Sequence, residues 1–311
     1  MRRTVLAPPE RDGVGASVVA LPPGPWPLLL DFLADQFPAV GRAAWQLRME
    51  QGDVLAAGGA VLPPHAPYCA HAKVFYFRSL PTEAVIPFEE VVLFRDDTLI
   101  VVDKPHFLPV TPAGRYLQQT LLVRLKRKLG IASLAPMHRI DRETAGLVLF
   151  TIEPATRALY QGLFRDRAVT KHYEAIAPWL PGLQFPMQVR NRLVDAEHFM
   201  KMRVVDGEPN AETRIELLEV QGALARYALH PATGQRHQLR VQMDGLGIPI
   251  LNDQIYPHHA PELAPGALPD YSKPLQLLAK SLEFTDPLSG LPRRFESRLA
   301  LQFGVGSKAF G

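Results

Sequence analysis

The chain has 311 residues and a mildly basic balance, with 34 Lys and Arg against 31 Asp and Glu. Domains average roughly 100–200 residues, so this length predicts two domains. A composition of 47% hydrophobic and 21% charged residues excludes a disordered, collagen-like or coiled-coil chain. The single cysteine, Cys69, excludes an internal disulfide framework and a cysteine-rich metal site. Because the sequence shows no signal peptide and no apolar stretch of about 20 residues, we expect a cytoplasmic protein without a membrane partner.

Proline positions and apolar spacing organise the first 80 residues. Residues 1–25 combine many prolines with little periodicity, which predicts a loose arm. Apolar residues at helical spacing over 26–50 predict two short helices. Short runs joined by Gly and Pro over 52–78 predict strands. We therefore expect a small α+β module over residues 1–80, followed by a linker over residues 81–90.

Longer strands and helices follow from residue 91 to the end. The predicted strands are two runs within 91–105, then 146–152, 169–178, a hairpin around Gly222 and 275–287, and the predicted helices are 116–130, 154–164 and 236–247. Because strands outnumber helices and often follow one another, we predict an α+β fold over residues 91–311, with a mixed, largely antiparallel sheet and flanking helices. The sequence lacks GxGxxG and GxxxxGK(S/T), which argues against dinucleotide and P-loop sites.

The helix predicted over 116–130 has a leucine face and a glycine stop. Its apolar face consists of Leu117, Leu121, Leu122, Leu125 and Leu129. Gly130 follows the last leucine, at the position where a glycine ends a helix.

A dense charged cluster, residues 138–146, precedes the apolar strand predicted at 146–152. Asp141 stands between Arg139 and Arg142, and nearby cations favour the ionised carboxylate. Such an Asp suits a nucleophile or an electrostatic anchor. The alternative is a surface turn whose charges face water.

A second basic cluster, residues 233–240, falls on the helix predicted at 236–247. Arg236 and Arg240 are four residues apart, so the prediction places them on one helix face, with His237 three residues before Arg240. Like charges at this spacing repel unless an anion lies between them, and a phosphate or the carboxylate of Asp141 would serve. The alternative is an exposed basic face.

A third cluster lies on the strand predicted at 169–178. Alternation places Lys171 and Tyr173 on one face and His172 on the other, which indicates a cleft wall. The alternative is an edge strand with a solvated face. His258 and His259 match no metal-ligand spacing, so we predict no metal site.

Six motifs in this order resemble the RluA-type pseudouridine synthases. HRIDRETAGLVLF is very similar to the family's H-R-L-D-x-x-T-S-G-L-L-L motif. The other five are VVDKPHFLPVTP, KHYEAIAP, PATGQRHQLRVQM, GIPILNDQIY and LLAKSLEFTDPLSG. Together they cover about residues 91–300. GDVLAAGGAVL in the first module is similar to the turn of an S4-like RNA-binding domain.

The resemblance implies a fold, a reaction and residue roles. The fold would be that of a pseudouridine synthase, and the reaction the isomerisation of uridine to pseudouridine in ribosomal or transfer RNA, without cofactor or metal. Asp141 would be the nucleophile, Tyr173 would pack on the target base and take part in proton removal, and Arg240 would pair with the Asp. Arg139 would enter the RNA stack when the uridine flips out. Further expected RNA contacts are His138, Lys104, Lys171, Arg236 and His237.

The chain departs from the family motifs at several positions. Ala145 stands where the family has Ser, Leu278 where it has His, Gln235 where it has Arg, and Phe107 and Leu108 replace the Gly of K-P-x-G. None of these is one of the three expected catalytic residues, so we expect an enzyme.

We expect the enzyme to be a monomer, and two other functions are alternatives to it. One alternative is a catalytically weak RNA-binding or RNA-folding protein that retains the cleft. The other is a glycosidase, which needs two paired carboxylates. Glu143 is the only acid beside Asp141, and in an extended segment it would point away, which argues against that class.

Overall fold

The computed structural model describes residues 8–80, 83–259 and 270–303. The chain divides into two compact units. The N-terminal unit comprises Met1–Glu83, Pro112–Gln118 and Lys126–Ala132, and the C-terminal unit comprises Ala84–Thr111, Gln119–Leu125 and Ser133–Gly311. The domain boundaries at 1–80, 81–90 and 91–311 stay predictions. No helix within the described ranges has both the length and the apolar character that a membrane span requires.

The N-terminal unit contains a three-stranded antiparallel sheet and two helices. Its elements are β1 (Ser17–Ala20), α1 (Leu29–Gln36), α2 (Arg42–Glu50), β2 (Val54–Ala56) and β3 (Lys73–Tyr76), with the strands in the order β1-β3-β2. The two predicted helices are confirmed. The prediction of a loose arm over residues 1–25 is wrong for residues 17–20, because β1 pairs along its whole length with β3. Residues 1–7 of the predicted arm lie outside the described residues. Trp45, Phe32 and Leu33 are fully buried in the core of this unit. The S4-like character of the module stays a prediction.

The C-terminal unit is built on one large sheet. Its strands are β4 (Val91–Arg95), β5 (Leu99–Lys104), β6 (Ala135–Pro136), β7 (Ala145–Thr151), β8 (Thr170–Pro178), β9 (Met187–Asp195), β10 (Met202–Val205), β11 (Ala211–Gln221), β12 (Leu224–Pro231), β13 (Leu277–Thr285) and β14 (Pro292–Glu296). The main order is β10-β9-β11-β12-β8-β13-β7-β5-β4, with β14 on β13 and β6 on β7. Only the β13–β7 pair is parallel among the described strands, so the predicted α+β fold with a largely antiparallel sheet is confirmed.

Three further helices are α3 (Leu121–Leu129), α4 (Arg157–Arg165) and α5 (Gln238–Gly245). The start predicted for the first of them, at residue 116, is wrong. The carboxylate of Glu83 accepts hydrogen bonds from the N–H groups of Leu117 and Gln118, at 2.8 and 2.9 Å. Leu117 therefore lies before the helix. Gly130 takes a φ of +68°, so its predicted role at the helix end is confirmed.

The hairpin around Gly222 is confirmed by the pairing of β11 with β12. The sequence patterns missed β9, β10 and β14. Strand β9 alternates exposed and half-buried residues over most of its length and contains a polar run, so it lacks the apolar signature of a strand with one buried face.

Helix α5 begins two residues later than predicted. Gln238 folds back over the preceding turn, where its Oε1 accepts hydrogen bonds from the Gln235 N–H and the Thr233 hydroxyl at 3.0 and 2.7 Å. His237 has a left-handed φ of +53°, which ends any helical path before residue 238. Arg236 is therefore outside the helix, and the prediction that it shares a helix face with Arg240 is wrong.

Gly146 fixes the place where the charged segment enters the sheet. It pairs with Ala279 across the parallel β7–β13 contact and has a φ of +107°. A Cβ at this position would lie 2.3 Å from the carbonyl oxygen of Ala279. Only glycine allows both the backbone angle and the close approach. Residues 138–144 are thereby held at the mouth of the β7–β13 pair.

Candidate active site

The side chain of Arg240, on the first turn of α5, occupies the centre of a buried ionic cluster. Only 1% of it is exposed, and its Nε and Nη2 each donate to the Asp253 carboxylate at 2.7 Å. Burial lowers the pKa of Arg240, but the hydrogen-bonded Asp253 and the charges of Asp141 and Glu143 outweigh it and raise the pKa above its ordinary value. The guanidinium therefore keeps its positive charge inside the protein.

Asp253 is the residue that fixes this guanidinium. Its side chain has no exposed surface, and its Oδ1 also accepts hydrogen bonds from the N–H groups of Ile255 and Tyr256 at 2.8 and 3.0 Å. A carboxylate with both oxygens bonded in this way cannot rotate freely, so it orients Arg240. Asp253 lies within the motif GIPILNDQIY, but the sequence alone does not mark it as a site residue.

Asp141 accepts a hydrogen bond from the third nitrogen of the same guanidinium. Its Oδ2 accepts a hydrogen bond from Arg240 Nη1 at 3.2 Å, and its Oδ1 lies 3.9 Å from His237 Nε2. About a quarter of the Asp141 side chain remains exposed, whereas Arg240 is covered. The arrangement presents one accessible carboxylate with a fixed cation behind it.

Glu143 also faces Arg240, which corrects the sequence interpretation. The N–H of Thr144 donates to the carbonyl of Asp141, so the segment bends rather than extends. Glu143 Oε2 consequently lies 3.8 Å from Arg240 Nη1, and Arg142 holds Oε1 at 2.7–2.8 Å. Burial raises the pKa of Glu143, but the two arginines outweigh it and lower the pKa, so this carboxylate is ionised.

Strand β8 brings Tyr173 to the cluster. Its ring packs against a buried apolar cluster that includes residues of β8, β12 and α5. Burial and the negative charge of Asp141 raise the pKa of the Tyr173 phenol above its ordinary value, so the hydroxyl keeps its proton. Lys171 lies two residues earlier, where its Nζ donates to the carbonyl of Thr233 at 2.7 Å and burial lowers its pKa to about 8.

Two expected RNA contacts lie behind the site. Lys104 is 0% exposed, and its Nζ donates to the carbonyls of Pro105 and Arg142 at 2.9 and 3.1 Å. Burial lowers the pKa of Lys104 to about 7, and nearby carboxylates offset only part of this effect. Because RNA cannot reach it, the prediction that Lys104 contacts RNA is wrong. Its bonds support the loop that carries Asp141.

His138 is half-buried, and contacts within the protein hold its ring. Its ring stacks on Phe164 with 4.3 Å between centroids, and its Nε2 accepts the N–H of Leu149 at 3.3 Å. Burial lowers its pKa to about 3, so the ring is neutral. These contacts give His138 a packing role and leave no positive charge there for RNA.

The remaining three expected RNA contacts are Arg139, Arg236 and His237. Arg139 is exposed, and within the described ranges no hydrogen bond or ion pair holds its guanidinium. Arg236 is exposed and bonded to the carbonyls of Phe199 and Lys201. His237 is nearly buried with its Nδ1 3.1 Å from the Tyr256 hydroxyl, and burial lowers its pKa.

The structure thus brings Asp141, Tyr173, Arg240 and His237 together and leaves Arg139 and Arg236 at the surface. No three His, Cys, Asp or Glu side chains are grouped as a metal site in the described part of the chain. The arrangement groups one accessible carboxylate with a buried arginine and a protonated tyrosine.

Comparison with known proteins shows which family the chain resembles. Residues 98–244 match the family described as RNA pseudouridylate synthase. An uncharacterized RNA pseudouridine synthase of Synechocystis is 31% identical over 78% of this chain and 81% of its own length. The dual-specificity RNA pseudouridine synthase RluA of Haemophilus influenzae is 29% identical over 67% of this chain and 92% of its own length. The chain spans only 30% of human pseudouridylate synthase RPUSD2, at 32% identity.

A solved structure is also similar to this chain. Human RNA Pseudouridylate Synthase Domain Containing 4 is 28% identical, covers 67% of this chain and 88% of its own, and has a TM-score of 0.51. The chain described here therefore belongs to the RNA pseudouridylate synthase family, which confirms the resemblance of the catalytic motifs.

Proposed function

We propose that the chain isomerises specific uridines in structured ribosomal or transfer RNA to pseudouridine. The observation that carries this proposal is the placement of Asp141. Its carboxylate is accessible on one side and bonded on the other to Arg240, whose own orientation is fixed by buried Asp253. A carboxylate oriented in this way beside a fixed cation is ready to act as a nucleophile.

The reaction needs a nucleophile and a proton acceptor but no net oxidation. The bond from C1′ of the ribose to N1 of uracil breaks, and a bond from C1′ to C5 forms. Asp141 attacks the uridine so that the base detaches, the base rotates, and it reattaches through carbon. C5 then loses its hydrogen as a proton, N1 gains a proton, and the bond to Asp141 breaks to return the carboxylate, so the atoms and electrons balance.

Tyr173 fits the proton step only after Asp141 has reacted. In the free protein the carboxylate charge of Asp141 helps to keep the Tyr173 phenol protonated. When Asp141 forms its bond to the substrate, that negative charge disappears and its contribution to the raised pKa goes with it. The phenol then becomes a better proton relay at the stage when C5 must lose its hydrogen.

Arg139 suits the flipping step. A uridine within a stem-loop must leave its stack to reach Asp141, which costs a few kcal/mol. Arg139 is exposed two residues before the nucleophile. Its planar guanidinium can stack on neighbouring bases and contact phosphate, which offsets part of that cost.

The test is a map of pseudouridine in total RNA from a host that lacks endogenous modification at the candidate sites. Wild type, Asp141→Ala and Asp166→Ala are expressed in parallel. Asp166 is an exposed carboxylate paired with Arg165, so it is the matched control. New pseudouridines are expected with wild type and Asp166→Ala and none with Asp141→Ala. Identical maps for wild type and Asp141→Ala would contradict the proposal.

We further propose that the protein acts as a cytoplasmic monomer. Asp141, Tyr173 and Arg240 all come from one unit of one chain, and the free Cys69 is exposed, which suits a reducing compartment. Light scattering on the purified protein is expected to give the mass of a single chain. A mass of two or more chains at micromolar concentration would contradict the monomer.

A further inference from the structure

The turn between β9 and β10, residues 196–201, presents an aromatic ring to solvent. We name it the Phe199 turn. Phe199 is 68% exposed, and across the described ranges no other Phe, Trp or Tyr is exposed. Single exposed apolar side chains are common on protein surfaces, so exposure alone does not mark a site. The hydrogen bonds that hold this turn are the feature that marks it as a candidate site.

The guanidinium of Arg236 fixes the backbone of the Phe199 turn. Its Nη2 donates to the carbonyl oxygens of Phe199 and Lys201, both at 3.0 Å. Within the turn, the Ala196 N–H donates to the Lys201 carbonyl, and the Lys201 N–H donates to the His198 carbonyl. Hydrogen bonds from a charged donor are about twice as strong as neutral ones. These hydrogen bonds therefore fix the backbone of the turn to which the Phe199 ring belongs.

The same bonds tie the Phe199 turn to the nucleophile. Arg236 directly precedes His237, whose Nε2 lies 3.9 Å from Asp141 Oδ1. The Tyr256 hydroxyl lies 3.1 Å from His237 Nδ1 and accepts the N–H of Met202, the first residue of β10. A nucleotide bound at the turn would thus sit on the same hydrogen-bonded framework as the catalytic Asp.

Imidazole rings extend the aromatic surface. The His198 ring lies 5.2 Å from the Phe199 ring at an interplanar angle of 23°, and 4.4 Å from the ring of His259. Unpaired RNA bases bind on aromatic and imidazole faces because every base has a π-face. The surface offers area for one or two bases.

The charged side chains around the turn are of both signs. Lys201, Arg203 and Arg236 are positive, whereas Asp195 and Glu197 are negative, and Asp195 is paired with Arg236 at 2.9 Å. Phosphates beside a stacked base need nearby positive charge, which these side chains supply.

We propose that the Phe199 turn is a subsite for the substrate RNA, in which Phe199 stacks on an unpaired base that flanks the target uridine. The identity of the occupant as substrate rests on the proposed function. The stack holds the RNA beside Asp141 while the uridine is flipped out. Phe199 contacts a neighbouring nucleotide and takes no part in bond exchange.

The first experiment measures turnover on total RNA that carries 5-tritiated uridine and comes from cells without this protein. Tritium release reports the loss of hydrogen from C5. Base stacking on an aromatic ring contributes about 1–3 kcal/mol, so Phe199→Ala should raise KM about 5- to 160-fold and lower kcat much less. Phe199→Leu should behave like Phe199→Ala, and Phe199→Trp should restore most of the affinity. Leu291→Ala, at a 62% exposed position in the β13–β14 turn, should match wild type.

The second experiment detects binding without turnover. Phe199→Trp and Leu291→Trp are titrated with the same RNA, and tryptophan fluorescence is recorded. Quenching that saturates with Phe199→Trp and is absent with Leu291→Trp is the expected result. A wild-type KM for Phe199→Ala, or no quenching with Phe199→Trp, would overturn the inference while wild-type tritium release leaves the proposed function intact. If wild type releases no tritium, the proposed function fails and the substrate assignment of the turn fails with it, while saturating quenching of Phe199→Trp would still support RNA binding at the turn.

Discussion

Two buried regions of this protein are built on opposite principles. The core of the N-terminal unit surrounds Trp45, which is 0% exposed and packs edge-on against Tyr76 at 5.0 Å. The core of the active site surrounds Arg240, which is as deeply buried but has carboxylates for neighbours. Apolar burial stabilises in proportion to area and is not directional. An ionic cluster is directional, and its value lies in geometry, because the cost of desolvation cancels much of its attraction.

Removal of Arg240 should have the largest effect. Arg240→Ala leaves Asp253 buried without a cation, so we expect a loss of about 3–5 kcal/mol in the free energy of unfolding and at least a 100-fold loss of turnover. Arg240→Lys keeps the charge but not the planar fork, so it should fold and still turn over slowly. Urea unfolding and tritium release measure the two effects.

The control for this prediction is Arg294→Ala, which removes an exposed ion pair with Glu283 and should cost less than about 1 kcal/mol. Turnover near the wild-type rate with Arg240→Ala would show that Asp141 needs no partner.

Trp45→Ala should separate stability from catalysis. It leaves a cavity in the apolar core, so we expect a loss of about 3–5 kcal/mol from the N-terminal unit. Turnover of the folded protein at saturating RNA should stay within about twofold, since no catalytic geometry changes. Leu47→Ala, on the same helix but 52% exposed, is the control. A large loss of turnover in well-folded Trp45→Ala would erase the contrast between the two regions.

The pH dependence of stability tests the charge of buried Lys104. Its pKa is about 7 in the folded protein against 10.5 ordinarily, so between these values only the unfolded chain holds the proton. Stability contributed by this group therefore rises with pH through that range. The unfolding free energy of wild type minus that of Lys104→Met should increase by about 3 kcal/mol from about pH 7 to 9.5. A difference that is constant with pH would show that Lys104 stays charged.

Phe107 gives the smallest and most specific effect. It has a left-handed φ of +66°, and its ring packs against Phe88 and Tyr271 at centroid distances of 6.0 and 5.1 Å. Both Phe107→Ala and Phe107→Gly lose this packing, but only glycine accepts the backbone without cost. Phe107→Ala should therefore be less stable than Phe107→Gly by about 1 kcal/mol.

Phe164, on helix α4, provides the matched reversal. There Gly should be less stable than Ala by about 1 kcal/mol because glycine loses more entropy in a helix. The same order of stability at both positions, measured by urea unfolding, would contradict the role assigned to the backbone at Phe107.

The sequence predicts the elements that have strong apolar patterns and misses those that have weak ones. The hairpin around Gly222 and the buried strand β7 have strong signals and were predicted. Strand β9 and the start of α3 depend on tertiary partners, such as the Glu83 carboxylate that accepts the Leu117 N–H. A pattern within one segment cannot contain a partner that is distant in the chain.

The candidate site shows the same limit. Asp141, Tyr173 and Arg240 lay in motifs and could be named, but Asp253 and the bend that turns Glu143 inward are tertiary features. The departures from the family motifs at positions 145 and 278 are explained by a contact that only the fold shows. Ala145 and Leu278 are direct partners across the β7–β13 pair, and both are buried. Two apolar residues there leave no buried polar group without a partner, which would cost about 1–3 kcal/mol.

In the proposed reaction the Asp141 carboxylate, held by Arg240, is the nucleophile. Asp141→Asn keeps the shape of the side chain and removes its charge. Tritium release from 5-tritiated RNA is measured in a single turnover with excess enzyme, alongside the RNA dissociation constant. We expect no release above the enzyme-free rate, with RNA affinity within about threefold of wild type because the surrounding cations are unchanged. Release at the wild-type rate would contradict the claim.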